Sequence, residues 1–200
     1  MSPLKGMLLR TVPRSFYERD TREVARSLLG KILSCRTPEG IAKGRIVETE
    51  AYYGDKDPAS HARRGKTPRS KIMWGKPGVA YVYFVYGMHH MLNVVTEPEG
   101  TPGAVLIRAL EPVEGIELMK KRRKTQNIKN LTNSPGKLTQ ALGITIEDNG
   151  TDLAGSHLWV EEGRPEKFDV VSTGRIGIKV GKNLKLRFYI KGDEHVSRKY

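Results

Sequence analysis

The stretch AYVYFVYGMHHMLNVV constrains the fold most, because it describes a β-hairpin in one continuous run. β-Branched and aromatic residues fill positions 81–86, as is typical of strands. Gly87 then permits a turn, after which MLNVV resumes extended structure. Alternation along a regular strand would place Tyr83 and Tyr86 on opposite faces. We therefore predict a hairpin whose tip carries Tyr, Met and His side chains.

Segments of the same kind occur on both sides of the hairpin. Strands are predicted over residues 31–36, 42–53, 80–86, 91–96 and 104–110, and again at VVSTGRIGIKV and LKLRFYIKG. Helices are predicted over residues 20–29 behind a cap at Asp20, over about 112–123, and from Ser134 to Gly143. Short connections between neighbouring strands favour antiparallel pairing. We expect an α+β fold in which a curved, mainly antiparallel β-sheet carries helices packed outside it and a protruding β-hairpin.

The length and composition of the chain indicate one domain inside the cell. Two hundred residues with 38% apolar content can build one substantial core, and no linker or repeat divides them, so we expect a single domain over residues 1–200. The chain starts without the apolar run of a secretory signal, and no apolar stretch reaches membrane-spanning length. A single cysteine, Cys35, excludes an internal disulfide and a cysteine-only metal cluster. We expect no contact with a membrane.

The charge of the chain favours a polyanionic partner. The 35 Lys and Arg residues outnumber the 22 Asp and Glu residues, which gives a net charge of +13 and a pI near 9.9. Nucleic acid is the leading interpretation, although a generally basic surface would have the same composition. Cations are dense in the loop before the hairpin, at Arg63, Arg64, Lys66, Arg69, Lys71 and Lys76. This loop is the expected phosphate-binding surface.

Two glutamates, Glu48 and Glu50, lie two positions apart on a predicted strand and so point to the same side. One interpretation is a metal site, since hard cations take carboxylate oxygens. Its candidate ligands are Glu48, Glu50, Asp55, Asp57 and His61. The alternative is that one glutamate pairs with an arginine and the other acidic groups are solvated. The spacing does not decide between these possibilities.

Several blocks of the sequence resemble the alkyladenine (3-methyladenine) DNA glycosylases. These blocks are RIVETEAY, then His61, then YVYxxYGM and RALEP, with SPGKLTQALGI and LRFYIKG extending the match over about residues 8–197. The resemblance implies that alkylated or deaminated purines, such as 3-methyladenine, 7-methylguanine, hypoxanthine and ethenoadenine, are excised from damaged double-stranded DNA. It implies hydrolysis of the bond between base and sugar by a monomer without a metal or cofactor. We expect a cytoplasmic, nucleoid-associated protein in a prokaryote and a nuclear one in a eukaryote.

The resemblance also implies roles for single residues. Glu50 matches a catalytic carboxylate that activates a water and stabilises positive charge on the sugar, and Arg108 matches an arginine that helps to hold this water. Tyr86 matches the residue that enters the gap left in the DNA by the flipped nucleotide. The base pocket is expected at Tyr52, His61, Tyr83 and Asn93, with Asn93 as a steric gate against normal purines. DNA contacts are expected from Arg63, Arg64, Lys66, Arg69, Met88 and Lys137.

Other functions stay open from the residues alone. A basic DNA- or RNA-binding module without catalysis would use the tyrosine-rich sheet as a stacking platform. A metal-dependent nuclease would use the acidic cluster around Glu48 and Glu50. Ser70 stands where the family usually has asparagine, and His89 and His90 at the hairpin are not typical of it. At these positions the lesion preference and the local DNA contacts of other family members do not carry over to this chain.

Overall fold

The longest strand, β2 (Gly40–Tyr52), is the centre of the sheet in the computed structural model, which describes residues 11–155 and 157–197. The described residues add β1 (Ile32–Thr37), β3 (Ala80–Val85), β4 (His89–Val95), β5 (Ala104–Glu114), β6 (Leu158–Glu161), β7 (Val170–Thr173) and β8 (Arg187–Ile190). The strand order is β3-β4-β5-β2-β1-β6, and β8 pairs with both β2 and β7. The pairs between these strands are antiparallel, as the sequence predicts.

The sheet curls into a half-barrel because β2 exchanges partners along its length. Its first half pairs with β1, and residues 48–50 pair with β8. On its other side β2 pairs with β5 through register shifts near Gly44 and Glu48. Such irregularities increase the local twist and bend a strand. The prediction of a curved, mainly antiparallel sheet is therefore confirmed.

Helices cover the outside of this sheet. They are α1 (Thr21–Ser27), α2 (Ile116–Arg123) and α3 (Pro135–Leu142). The Asp20 carboxylate accepts hydrogen bonds from the N–H groups of Arg22 and Glu23, and Ser134 caps α3. α1 packs on β2 and β5, and α3 packs on β4 and β5, so apolar side chains such as Leu28 and Leu138 are fully buried. The predicted α+β architecture is confirmed.

The helix predicted over about residues 112–123 begins later than expected. β5 continues to Glu114, and α2 starts at Ile116 after Gly115, whose φ is +75°. The reason is pairing with β2, in which Glu111 stands opposite Arg45 and accepts a hydrogen bond from it. The ladder to β2 therefore outcompetes local helix formation at this end of the strand.

The strand predicted over VVSTGRIGIKV is correct only at its start, since β7 ends at Thr173. The following residues leave the sheet because Arg175 bonds to Asp57, and the N–H of Ile176 bonds to Glu50. We call residues 176–180 the strap. Strand β6 was not predicted, and it adds to the sheet beside β1. The strap, rather than a strand, therefore lies next to the predicted catalytic carboxylate.

The hairpin forms as predicted and protrudes, but its strand is shorter. β3 ends at Val85, which pairs with His89, and the N–H of Met88 donates to the Val85 carbonyl at 3.2 Å. Tyr86 and Gly87 both have positive φ, at 52° and 66°. A left-handed conformation costs a residue with a side chain about 1–2 kcal/mol. The alternation expected for a regular strand therefore does not reach Tyr86, whose orientation is set by the turn.

Among the described residues, no helix combines the length and the apolar character needed to cross a membrane. The expectation about a secretory signal rested on residues 1–15, of which residues 1–10 lie outside the described residues. Cys35 is buried on β1, where burial raises the pKa of its thiol to about 12. This thiol therefore stays protonated and behaves as a small hydrophobic side chain.

Candidate active site

A cavity of about 440 Å³ opens between the hairpin, the end of β2 and the strap. Its walls include the predicted residues Tyr52, His61, Tyr83, Tyr86, Asn93 and Arg108. Small-molecule sites commonly have about 300–1,000 Å³. The four residues predicted for a base pocket thus meet at one cavity of suitable size, although they come from three separate segments of the chain.

One wall of this cavity consists of packed rings. The His61 and Tyr83 rings stand edge to face with centroids 4.7 Å apart, and Tyr81 lies 5.1 Å from Tyr83. Nδ1 of His61 shares a hydrogen bond of 2.8 Å with the Tyr81 hydroxyl. Burial and the charge of Arg69 lower the pKa of His61, and burial raises the pKa of Tyr83 to about 12. At neutral pH this wall is therefore uncharged.

Asn93 occupies a fixed position beside these rings. It lies on β4 opposite Tyr81 and is buried. Its Nδ2 donates a hydrogen bond of 3.1 Å to the Tyr81 carbonyl, which holds the amide in one orientation. A rigid polar side chain at this place can restrict which base edges fit.

Glu50 lies behind the cavity wall and not on its surface. The carboxylate is fully buried, and its Oε1 accepts a hydrogen bond of 2.7 Å from the Ile176 N–H. Its Oε2 accepts from the Tyr52 hydroxyl at 2.8 Å and from Nη1 of Arg108 at 3.3 Å. Tyr52, Arg108 and Ile176 all line the cavity, so its lining holds the carboxylate. Burial and Glu50 raise the pKa of Tyr52 well above its usual value, which keeps the phenol protonated as a donor.

A second buried layer fixes Arg108. Oε1 of Glu48 accepts from Nε of Arg108 at 3.0 Å and from Nε of Arg187 at 2.7 Å, and Oε2 accepts from the Ser197 N–H at 2.7 Å. Burial lowers the pKa of Arg108, but the negative charges of Glu50 and Glu48 outweigh burial, so the pKa is raised above its usual value. The two glutamates point to the same side and share this arginine. Pairing of a glutamate with an arginine is confirmed, but the expectation that the other acidic groups are solvated is wrong, because both glutamates and Asp57 are buried and paired with arginines.

The candidate ligands of the metal site that the sequence offered as one interpretation do not come together in the described part of the chain. That part contains no group of three or more His, Cys, Asp or Glu side chains placed to hold an ion. Glu48 is bound to arginines, and Asp57 forms a buried ion pair with Arg175. Asp55 is exposed. Glu48, Glu50 and Asp57 are therefore engaged by arginines in this structure.

Arg175 and Ile176, which adjoin Tyr52 and Glu50, were not predicted from the sequence. Arg175 is buried, and its guanidinium lies 4.6 Å from the centroid of the Tyr52 ring. Ile176 contributes its main-chain N–H to Glu50. Arg175 lies 118 positions after its partner Asp57, and a backbone donor leaves no mark in the residue types. No spacing in the sequence could have indicated either contact.

The basic loop lies beside the mouth of the cavity. A second hollow of about 730 Å³ is lined there by Arg63, Arg64, Arg69 and also by His61, which belongs to both hollows. The arginines are exposed, and so is Lys66. Arg69 donates to a carbonyl of the hairpin at 3.3 Å, and its guanidinium lies 5.6 Å from the centroid of the Tyr83 ring. Positive charge therefore lies along one side of the approach to the cavity.

The remaining predicted contacts lie at the hairpin tip and at the start of α3. Met88 is exposed next to Tyr86, whose side chain is 85% exposed. Lys137 donates a hydrogen bond of 2.9 Å to Oδ1 of Asn133 and another to Oδ1 of Asn130, and burial lowers the pKa of its ammonium. This lysine is therefore anchored to the loop before α3 and does not form a freely solvated helix end.

Comparisons with known proteins agree on one family. The family model for methylpurine-DNA glycosylase matches residues 15–194. A protein of Prosthecochloris aestuarii is 53% identical over 189 residues, which cover 94% of this chain and 91% of that protein. A protein of Methanoculleus marisnigri is 51% identical over 195 residues, covering 94% of this chain and 100% of its own length. Both relatives are provisionally named 3-methyladenine DNA glycosylases.

Proposed function

The chain belongs to the methylpurine-DNA glycosylase family, and from this premise we propose that it hydrolyses the bond between damaged purines and deoxyribose in duplex DNA. The observation that carries the proposal is a buried carboxylate, Glu50, held directly behind a cavity with an aromatic wall and a basic approach. The proposed substrates are 3-methyladenine, 7-methylguanine, hypoxanthine and ethenoadenine. The product is an abasic site.

Glu50 is proposed to activate the attacking water. A carboxylate offers about four acceptor positions, and donors among the described residues occupy one on Oε1 and two on Oε2. One position on Oε1 therefore remains for a water, and because the carboxylate has no exposed surface, its wall of Tyr52, Arg108 and the strap has to open for the water to reach it. General-base catalysis contributes about 10²–10⁴-fold, and the negative charge also stabilises the cationic sugar in the transition state.

Arg108 is proposed to hold the same water against the sugar. Its guanidinium bonds to both glutamates and also lines the cavity. Because Glu48 balances part of its charge, Arg108 can orient a water without cancelling the attraction between Glu50 and the sugar. The positions of Glu50 and Arg108 thus support a water-dependent mechanism.

Tyr86 is proposed to fill the space that the flipped nucleotide leaves in the duplex. Flipping costs a few kcal/mol, and stacking of a base on an aromatic ring returns about 1–3 kcal/mol. Tyr86 protrudes from a turn at the mouth of the cavity, and Tyr83 lies inside it. One hairpin would then present one ring to the DNA stack and another to the extruded base.

The basic loop is proposed to bind the phosphates on either side of the lesion. The loop residues Arg63, Arg64, Lys66 and Arg69 are exposed beside the cavity. The exposed Met88 is proposed to contact the DNA at the hairpin tip, and Lys137 in the first turn of α3 is a further proposed phosphate contact. Each phosphate contact of this kind makes affinity fall with salt and carries no sequence information. Sequence-independent binding suits an enzyme that must find damage anywhere.

Release of free base from duplex DNA containing methylated purines, with EDTA present, tests the proposal. The native chain should release base, and Glu50→Gln should bind the same DNA with little change while its release falls by at least about 100-fold. Glu147→Gln, at an exposed glutamate, is the matched control and should behave as the native chain.

Three other outcomes would contradict the proposal in different ways. Lesion-dependent binding without release by the native chain would indicate a binding module. Cleavage of the DNA strand that EDTA abolishes would indicate a metal-dependent nuclease. Equal release by the native chain and by Glu50→Gln would leave a glycosylase but remove Glu50 from its mechanism.

A further inference from the structure

Arg175 lies in an irregular segment, yet its guanidinium donates three hydrogen bonds to buried partners. Its Nη1 donates to the Ala51 carbonyl at 3.0 Å and to Oδ2 of Asp57 at 2.5 Å, and its Nη2 donates to Oδ1 of Asp57 at 2.7 Å. Asp57 also accepts from the N–H groups of Tyr53 and Ala59, at 3.1 and 3.0 Å. The ion pair therefore joins the end of β2, the loop after it and the residue that directly precedes the strap.

This ion pair adjoins two of the donors that hold Glu50. The guanidinium lies against the ring of Tyr52, with 4.6 Å to the centroid, and the Tyr52 hydroxyl donates to Oε2 of the carboxylate. The next residue along the chain, Ile176, donates its N–H to Oε1. A movement of Arg175 would therefore shift a donor on each oxygen of the carboxylate.

We infer that Arg175 is a positioning residue which, braced by Asp57, sets the Tyr52 ring and the strap and thereby fixes Glu50 for catalysis. The inference rests on the proposed function. It assigns to Arg175 no contact with the DNA or with the attacking water. Its effect on the reaction passes through Tyr52 and Ile176.

Energetics favour this role over one in stability alone. A buried ion pair often contributes little net stability, because desolvation offsets the attraction between the charges. Among the described residues, Nε of Arg175 is buried without a hydrogen-bond partner, which adds a further cost. By contrast, misplacement of a catalytic group by about 1 Å can reduce a rate on the order of 100-fold. A role in positioning Glu50 therefore explains the buried Arg175–Asp57 pair better than a role in stability does.

Single-turnover base release at saturating enzyme measures this effect apart from binding. Arg175→Met and Asp57→Asn should each release base on the order of 100-fold more slowly. Their affinity for duplex DNA carrying an uncleavable abasic-site analogue should stay within about threefold of the native value. Rates are measured at a temperature where circular dichroism shows each variant folded, and Asp57→Asn retains the arginine if Arg175→Met does not fold.

Arg122→Met is the matched control. Arg122 also donates from several nitrogens, to Glu39, to the Thr37 hydroxyl and to the Ala141 carbonyl, but none of these residues lines the cavity. Its loss should lower the free energy of unfolding and leave the rate of base release by the folded protein unchanged.

A double-mutant cycle with Tyr52→Phe tests whether Arg175 acts through Tyr52. The losses of Arg175→Met and Tyr52→Phe should overlap and not multiply, whereas those of Arg122→Met and Tyr52→Phe should be independent. Native rates in both Arg175→Met and Asp57→Asn, or losses that multiply fully with Tyr52→Phe, would overturn the inference. Failure of the native chain to release base would instead refute the proposed function.

Discussion

The buried layer around Glu48 and Glu50 and the tip of the hairpin are opposite kinds of structure, although both border one cavity. In the buried layer each carboxylate is fully inaccessible and bonds to arginine and to main-chain N–H groups. At the tip, Tyr86 is 85% exposed and sits in a left-handed conformation. In the buried layer many hydrogen-bond partners fix the side chains, whereas at the hairpin tip the Tyr86 side chain extends into solvent.

This difference corresponds to the two tasks of the proposed reaction. Stabilising charge in a transition state requires groups that are already oriented in a water-poor environment. Entering a DNA stack requires an apolar ring that is available before the partner arrives. The unfavourable backbone conformation of Tyr86 is tolerable because the DNA, when bound, supplies the contacts that the free protein lacks. Substitutions should therefore affect stability in the first region and binding in the second.

Glu48→Gln should produce the largest effect, because it removes the carboxylate that binds Arg108 and Arg187. Breaking a buried ion pair from one side costs about 3–5 kcal/mol, so the free energy of unfolding should fall by about that amount. Urea denaturation measures it. Glu111→Gln breaks a more exposed pair with Arg45 and should cost less than about 1 kcal/mol. Equal losses of unfolding free energy in Glu48→Gln and Glu111→Gln would mean that the buried ion pairs stabilise the protein no more than the exposed pair does.

Tyr86→Ala should show the reverse pattern. The exposed ring makes no contribution to the core, so the free energy of unfolding should change by less than about 0.5 kcal/mol. Binding to lesion-containing duplex should weaken by about 1–3 kcal/mol, which is about 5- to 150-fold in Kd. Fluorescence anisotropy with labelled DNA measures this, and Val113→Ala, at an exposed residue of β5, is the control. A Tyr86→Ala variant with native affinity would remove the tip from recognition.

The sequence predicted the parts of the fold that depend on local patterns. The hairpin and α3 follow from Gly87 and from the cap at Ser134, and both form where expected. The start of α2 was wrong because pairing of β5 with β2 overrides local preference up to Glu114. The strand predicted to continue after Thr173 was wrong because Arg175 binds Asp57, which lies far away in the chain. Local sequence patterns therefore predict which helices and strands form but not where these elements end.

The candidate site shows the same division. The residue types that line the cavity are visible in the sequence, and the resemblance to a family indicated which of them to select. The position of Glu50 behind the wall was not predictable, because it depends on the Ile176 N–H and on the side-chain rotamers of Tyr52 and Arg108. Nor could the turn at Tyr86 be foreseen, since a positive φ at tyrosine contradicts its local preference.

His61 lies between the two regions, and its titration should give the smallest effect. Burial and Arg69 lower its pKa in the folded protein, whereas the unfolded chain has the ordinary value near 6.5. As the pH falls through about 6.5, the unfolded chain binds the proton first, so stability that is present at higher pH is lost. Between about pH 7.5 and 5.5 the native chain should therefore lose more unfolding free energy than His61→Gln, with Arg69→Gln between them. Parallel curves for all three proteins would show that folding does not lower the pKa of His61, and the boundary between the two regions would then lie deeper in the cavity.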